Sequence, residues 1–314
     1  YDKQRRSTNP EANMNIRQII SYWGYPYEKY DIVTKDGYIL GTYRIPYGRG
    51  CPEKTAPKPV VYLHHGLSAS ASDWICNLPN NSLAFLLADN CYDVWLGNSR
   101  GNTWSRKHLK LSPKSSAFWA FRIKIFFALG PVVTVKYTQS PLKRFSKFSR
   151  PAIKALFGDK MFSPHTPLEH FIATKVKRKH IQISIISFQS RLDVYMSQKP
   201  AGTSVQTMLH WAQILNSGQL QAFDWGDLDQ NMIHFHQITP PLYNITKVDV
   251  PTAIWSGGQD IVADPKDIQH LLPKVSNLIY YKMIPHYNHM DFYLGEDAYQ
   301  EIYQDLIRLM KECL

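Results

Sequence analysis

The chain has 314 residues, 44% of them hydrophobic and 13% aromatic, with 36 lysines and arginines against 25 acidic residues and a net charge of +11. That length and composition suit one large α/β domain with an insertion, or two domains, and exclude a disordered or low-complexity chain. The longest apolar run, residues 125–133, is too short to cross a bilayer, and the basic clusters at 106–110, 143–154 and 175–179 carry no nucleic-acid motif. They read as solvated faces with some attraction to anionic lipid.

The first residues, Tyr1-Asp2-Lys3-Gln4-Arg5-Arg6, are polar and unlike a signal peptide, so the chain is expected to begin after processing or truncation. Residues 30–34 and 38–45 are β-rich runs around Lys35-Asp36-Gly37, whose glycine suits the positive φ of a tight turn; a hairpin is predicted. Residues 59–64 form a continuous apolar run ending near Gly66, the pattern of a parallel strand buried on both faces. Helical spacing over 82–88 leads to a second buried strand at 92–96, which ends in Gly97-Asn98-Ser99-Arg100-Gly101. A third such strand is predicted within 123–135. Strands resume at 252–256 and 278–284. Between them Asp264 is an N-cap and Pro265 takes the first helical position of a helix through Leu272. A last helix is expected over 297–313.

This alternation predicts an α/β fold with a doubly wound, mostly parallel sheet. The basic, aromatic-rich stretch 137–237 breaks the pattern and reads as a cap inserted between core parts 1–136 and 238–314. In it Leu142, Phe145, Phe148, Ile153 and Leu156 share one spacing; such a face either lies on a lipid interface or packs on the main domain.

Cys51, Cys76, Cys91 and Cys313 show neither CxxC spacing nor the density of a disulfide framework, so no metal centre is expected, and no segment indicates an organic cofactor. The sequons Asn80-Asn81-Ser82 and Asn244-Ile245-Thr246 make Asn80 and Asn244 candidate glycosylation sites, as a secreted chain would allow.

Ester hydrolysis by serine needs a nucleophile, a base, an acid that orients the base, and N–H donors for the oxyanion. In α/β-hydrolases the chain order is Ser, then Asp or Glu, then His, with the serine on a strand-to-helix elbow. Asp260 follows the predicted strand 252–256, at the carboxyl edge where such sheets bind ligands, and His289 follows the next strand. Taken together and in that order they point to an acid–base relay, although each alone is equally a common loop residue. His65-Gly66-Leu67 stands where the first oxyanion donor belongs. Ser99 sits in the only Gly-x-Ser-x-Gly match. The residues after Gly101 carry no apolar spacing for the helix that an elbow opens, so Ser99 reads as a loop residue.

The chain resembles the acid lipase family of gastric and lysosomal lipases in Asn9-Pro10-Glu11-Ala12 and in residues 35–40, 72–87, 92–112, 200–226 and 251–297. The resemblance implies an α/β-hydrolase fold with a helical cap and a triacylglycerol or steryl ester substrate at a lipid–water interface. It also implies Asp260 and His289 as the charge relay, Leu67 as an oxyanion donor, and a secreted or lysosomal location.

Two departures stand out. The family's Gly-His-Ser-Gln-Gly elbow belongs between 119–121 and 125–128, but Phe121 runs directly into Arg122, so a strand–elbow–helix unit of roughly 30 residues or more is missing. A shorter loss falls near 179–183 and removes cysteines the family carries there. His64 stands where the family usually has Gln, and the loop around Ser99 belongs to the family as a separate feature alongside the true elbow. The expectation is a lipase lineage without its serine nucleophile, inactive as written. The alternatives are a non-catalytic lipid-binding or interaction protein, and an unstable truncated isoform such as exon skipping produces. Losing a central strand strands ladder partners at about 1–3 kcal/mol for each buried unpaired group.

Overall fold

The computed structural model describes residues 9–51, 57–113, 130–133, 135–140, 142–158, 161–162, 191, 193–195, 197–198 and 201–312. The Phe121–Arg122 junction, the 179–183 stretch and Cys313 lie outside the described residues.

Helix α1 (Ile16–Tyr22) opens on a capping box in which the Asn15 side chain accepts the Gln18 N–H and the Gln18 side chain accepts the Asn15 N–H. Strands β1 (Glu28–Val33) and β2 (Tyr38–Ile45) form the predicted antiparallel hairpin. Gly37 holds φ at 89° in the connecting turn, and a Cβ there would come within 2.8 Å of the His108 ring. Strand β3 (Val60–His64) crosses over through α2 (Leu83–Asp89) to β4 (Asp93–Gly97) and pairs parallel with it, while β4 also pairs antiparallel with β2. The short β5 (Lys107–His108) adds to β2. The sheet order is therefore β1-β2-β4-β3, with β5 on β2.

In the 137–237 stretch, α3 (Leu142–Phe145) and α4 (Arg150–Phe157) precede β6 (Met161–Phe162), which pairs with β7 (Thr203–Ser204), and α5 (Val205–Ser217) and α6 (Leu228–Phe235) follow. Ile153 is buried in a cluster with Val205, Leu209 and Ala212. Ile153 of α4 thus packs on α5, whereas Phe148 stands exposed between helices; the side chains of Leu142, Phe145 and Leu156 lie outside those described.

Strand β8 (Thr252–Gly257), α7 (Pro265–Leu271) and β9 (Leu278–Ile284) form a second parallel crossover, a separate two-stranded sheet. Asp264 caps α7 by accepting the Lys266 N–H, with Pro265 at the first helical position as predicted. A short helix α8 (Asp291–Leu294) and a π-helical turn (Tyr299–Tyr303) lead into α9 (Gln304–Glu312), so the π-helical turn starts two residues after the expected 297 and regular α-helix seven after it. The two sheets share one core: Trp255, Ile284, Tyr287, Phe292, Ile302 and Tyr303 pack in the same cluster as Ile16, Ile45, Phe85, Val94 and Leu96.

The structure corrects one sequence expectation, the burial of residues 59–64 on both faces. Strand β3 is covered on one face only: Leu63 is buried, but Val60 and Tyr62, the alternate side chains, are 67% and 58% exposed. Strand β9 repeats this, with Tyr280 and Lys282 held by Asp305 and Glu301 of the last helix while Ile279, Tyr281 and Met283 stand in solvent. A run apolar on both faces was read as fully buried, yet burial needs a layer on each side. Among the described residues β3 has no hydrogen-bonded partner on its other edge, and no strand joins it to β8. The third strand expected over 123–135 lies mostly outside the described residues, and residues 130–133 and 135 are not in a strand. Cys51 and Cys91 form a disulfide across 40 residues, which their spacing did not suggest; Cys76 is buried, its thiol 3.4 Å from Asp73 O.

Candidate active site

Asp260 and His289 emerge from the carboxyl ends of the paired strands β8 and β9, and the structure brings them together. Asp260 Oδ2 lies 2.9 Å from His289 Nδ1, and its side chain is fully buried while that of His289 is about one-third exposed. The other carboxylate oxygen, Oδ1, accepts the backbone N–H groups of Val262 (2.8 Å) and Ala263 (2.9 Å). Both oxygens are therefore held, which fixes the carboxylate plane and aims Oδ2 at the ring. Among the described residues His289 Nε2 has no hydrogen-bond partner. Gly130 passes beside the ring: a Cβ there would lie 3.6 Å from His289 Cε1.

The loops are laced together by backbone contacts that only glycine permits. Gly258 N–H donates to Ile284 O (2.8 Å) and Gln259 N–H to Tyr287 O (3.0 Å). A Cβ on Gly257 would sit 2.4 Å from Tyr287 O, and one on Gly258 2.5 Å from Pro285 O. Asp297 accepts from the Tyr287 hydroxyl and pairs with His286 Nε2, both at 2.8 Å. Burial and this carboxylate push the Tyr287 phenol far up. Asp291 accepts the Asn288 N–H at 2.7 Å, and burial raises its carboxyl above the usual range. The 71–81 segment is stitched to the same region through Asn77 Nδ2 to Tyr293 O (2.9 Å) and Asn81 Nδ2 to Gly295 O (2.8 Å).

The His65-Gly66-Leu67 turn follows β3. His65 is buried; its Nε2 accepts the Ser99 N–H (3.0 Å) and lies 3.1 Å from Asn102 Nδ2, and its Nδ1 lies 2.8 Å from Gly66 O. Asn98 extends this knot: its Oδ1 accepts from Ala71 N–H and Asn102 Nδ2, and its Nδ2 donates to Gly41 O. The Leu67 N–H has no acceptor among the described residues.

Ser99 is not brought to the Asp260–His289 pair by any hydrogen bond. Its Oγ lies 2.8 Å from His64 Nε2, and His64 Nδ1 lies 3.2 Å from the Tyr62 hydroxyl. Burial, with help from neighbouring His65, pushes the His64 imidazole down to about 4. No helix follows Gly101; residues 101–106 form turns and loop. The strand–turn–helix context of a nucleophile elbow is absent at Ser99. The contacts of Ser99 with His64 and His65, of Asn102 with His65 and of Asn98 with Gly41 were not legible in the sequence, because the partners lie 34 to 57 positions apart.

The other expected sites are on the surface. Asn80 and Asn244 are both exposed, and the Asn244 Oδ1 accepts from Thr246 N and Oγ1. Among the described residues no helix is long and apolar enough to cross a membrane, and no group of three or more His, Cys, Asp or Glu is arranged to hold a metal ion.

Parallel crossovers with an acid and a histidine on successive strand-end loops define an α/β hydrolase. A soluble variant of monoglyceride lipase from Saccharomyces cerevisiae has the same fold, with a TM-score of 0.52 at 13% identity over 96% of each chain. The partial alpha/beta-hydrolase lipase region matches residues 16–78. Human lipase member K is 63% identical over 100% of this chain and 95% of its own length, and rat gastric triacylglycerol lipase is 48% identical over 97% and 93%. The chain belongs to the acid lipase family of the α/β-hydrolase superfamily. The alignment with human lipase member K runs over 378 positions against the 314 residues of this chain, so about 64 of its positions face gaps here.

Proposed function

We propose that this chain is a lipase-lineage α/β hydrolase that retains the Asp260–His289 relay and the Leu67 oxyanion turn but, as written, forms no acyl-enzyme. The lineage chemistry is hydrolysis of neutral lipid esters, triacylglycerols or steryl esters, at a lipid–water interface. The single observation that carries the inactive reading is the placement of Ser99: its hydroxyl is engaged by His64, a weak base, and its loop opens no helix. The gaps in the alignment and the uncovered faces of β3 and β9 support the loss of a strand–elbow–helix unit between them. We also read 137–237 as a cap inserted between core parts 1–136 and 238–314. A secreted or lysosomal location, with Asn80 and Asn244 glycosylated, is supported by the Cys51–Cys91 disulfide, since such bonds persist in oxidising compartments.

A fluorophosphonate probe tests the reading. The purified chain is expected to stay unlabelled, and stoichiometric labelling abolished by Ser99→Ala would overturn it. A non-catalytic lipid-binding role is the second reading, favoured by Leu228, Met232 and Ile233, all exposed on α6, with Ile238 and Leu242 beyond it. Flotation with anionic liposomes tests it: folded protein left in the bottom fraction would sink the idea.

A further inference from the structure

The buried knot around His65 gives the loop containing Ser99 a role that has nothing to do with its hydroxyl. A backbone N–H can only donate, so the Ser99 N–H at 3.0 Å makes His65 Nε2 an acceptor, and Asn102 Nδ2 at 3.1 Å is placed to donate to the same lone-pair region. A neutral imidazole that accepts at Nε2 carries its proton on Nδ1. That proton faces Gly66 O at 2.8 Å. The same carbonyl also accepts the Ala69 N–H at 3.3 Å. Because C=O and N–H of a trans peptide unit point in opposite directions, holding the Gly66 carbonyl toward His65 and Ala69 turns the Leu67 N–H the other way. There it has no acceptor among the described residues.

We propose that His65 is a positioning residue: its Nδ1–H, fixed in place by Ser99 N–H and Asn102 at the opposite nitrogen, orients the Gly66–Leu67 peptide so that the Leu67 N–H is presented to the oxygen of an acyl group. This rests on the reading of Leu67 as an oxyanion donor. It makes the Gly97–Asn102 loop a tautomer clamp: protonating Nε2 would set an N–H against the Ser99 N–H, and a ring without its Nδ1 proton would turn a lone pair on the Gly66 carbonyl.

Two-bond proton–nitrogen correlation on the full chain with 15N-labelled histidine reads the tautomer directly. The Nδ1–H form is expected at His65, and an Nε2–H or doubly protonated ring overturns the proposal without any substitution. Two variants then separate orientation from simple packing. In His65→Asn the side-chain amide stands near the Nδ1 position and can still donate to Gly66 O. In His65→Gln it reaches the Nε2 position and serves Ser99 and Asn102 instead. The Leu67 amide resonance is expected to stay near its original position in the first and to move in the second. With decanoate as the probe, affinity is expected to fall less than about twofold in the first variant and about tenfold in the second. Equal responses in the two variants overturn the positioning role. If decanoate leaves the Leu67 amide of the unaltered chain unmoved, the oxyanion reading fails, while the tautomer and the ligand-free amide shifts still decide the role of His65.

Discussion

The Asp260 carboxylate is divided between two tasks: Oδ2 meets His289 Nδ1 at 2.9 Å, and Oδ1 takes two backbone N–H groups from its own loop. Those backbone donors predict the outcome of Asp260→Asn. The amide oxygen is expected to keep the Val262 and Ala263 N–H groups, which turns the NH2 toward His289 and moves the imidazole proton from Nδ1 to Nε2. Histidine nitrogen spectra check this, and an unchanged tautomer would contradict it. Asp260→Ala instead strands both N–H groups and is expected to cost about 1–3 kcal/mol for each, read by urea unfolding.

His64 carries a pH dependence of known sign. Its folded-state value lies near 4, below the ordinary 6.5, so as pH falls from 6.5 toward 4 the unfolded chain takes up a proton that the folded chain refuses. The stability associated with neutral His64 is therefore complete above pH 6.5 and is lost across that window. At about 1.4 kcal/mol per unit, the loss is roughly 2 kcal/mol once partial solvent screening is allowed for. His64→Gln is expected to flatten this limb, so that Tm changes less between pH 7 and pH 4.5 than in the unaltered chain.

Glu11 and Arg191 form a buried bidentate pair, with both oxygen–nitrogen distances at 2.8 Å, and Glu11 also accepts from Trp23 Nε1 at 3.0 Å. Glu11→Ala leaves the guanidinium charge buried beside the Cys76 carbonyl and is expected to destabilise by about 3–5 kcal/mol. Replacing both partners with apolar residues of similar volume is expected to cost much less. Denaturant midpoints of the single and double variants measure the difference.

The Cys51–Cys91 bridge closes a 40-residue separation, for which chain-entropy arguments give about 4 kcal/mol. Thermal unfolding with and without a thiol reductant is expected to show a clear fall in Tm. Cys51→Ser with Cys91→Ser should reproduce that fall and make it insensitive to reductant.

Much of the fold was legible because the signals are local. The Lys35-Asp36-Gly37 turn, the Asp264-Pro265 cap and the strands at 252–257 and 278–284 are set by φ preference, capping and apolar runs within a few residues. Asp260 and His289 could be nominated because the chain order of acid and base, each just past a strand, is itself a sequence property. What misled was the continuous apolar run of residues 59–64, a pattern that ordinarily records a layer on both sides.

By itself the sequence determined the family, through its resemblance to the acid lipases, and the order of the crossovers, and it nominated Asp260 and His289 as a candidate relay through chain order and local propensity. Only the tertiary structure decided which nitrogen meets which oxygen, that Ser99 belongs to His64 rather than to His289, that Cys51 finds Cys91, and that among the described residues β3 ends its sheet with one face in solvent. These facts depend on partners tens of residues distant, brought together by packing in a core that both sheets share. No local pattern can encode a neighbour whose position is fixed by the rest of the fold.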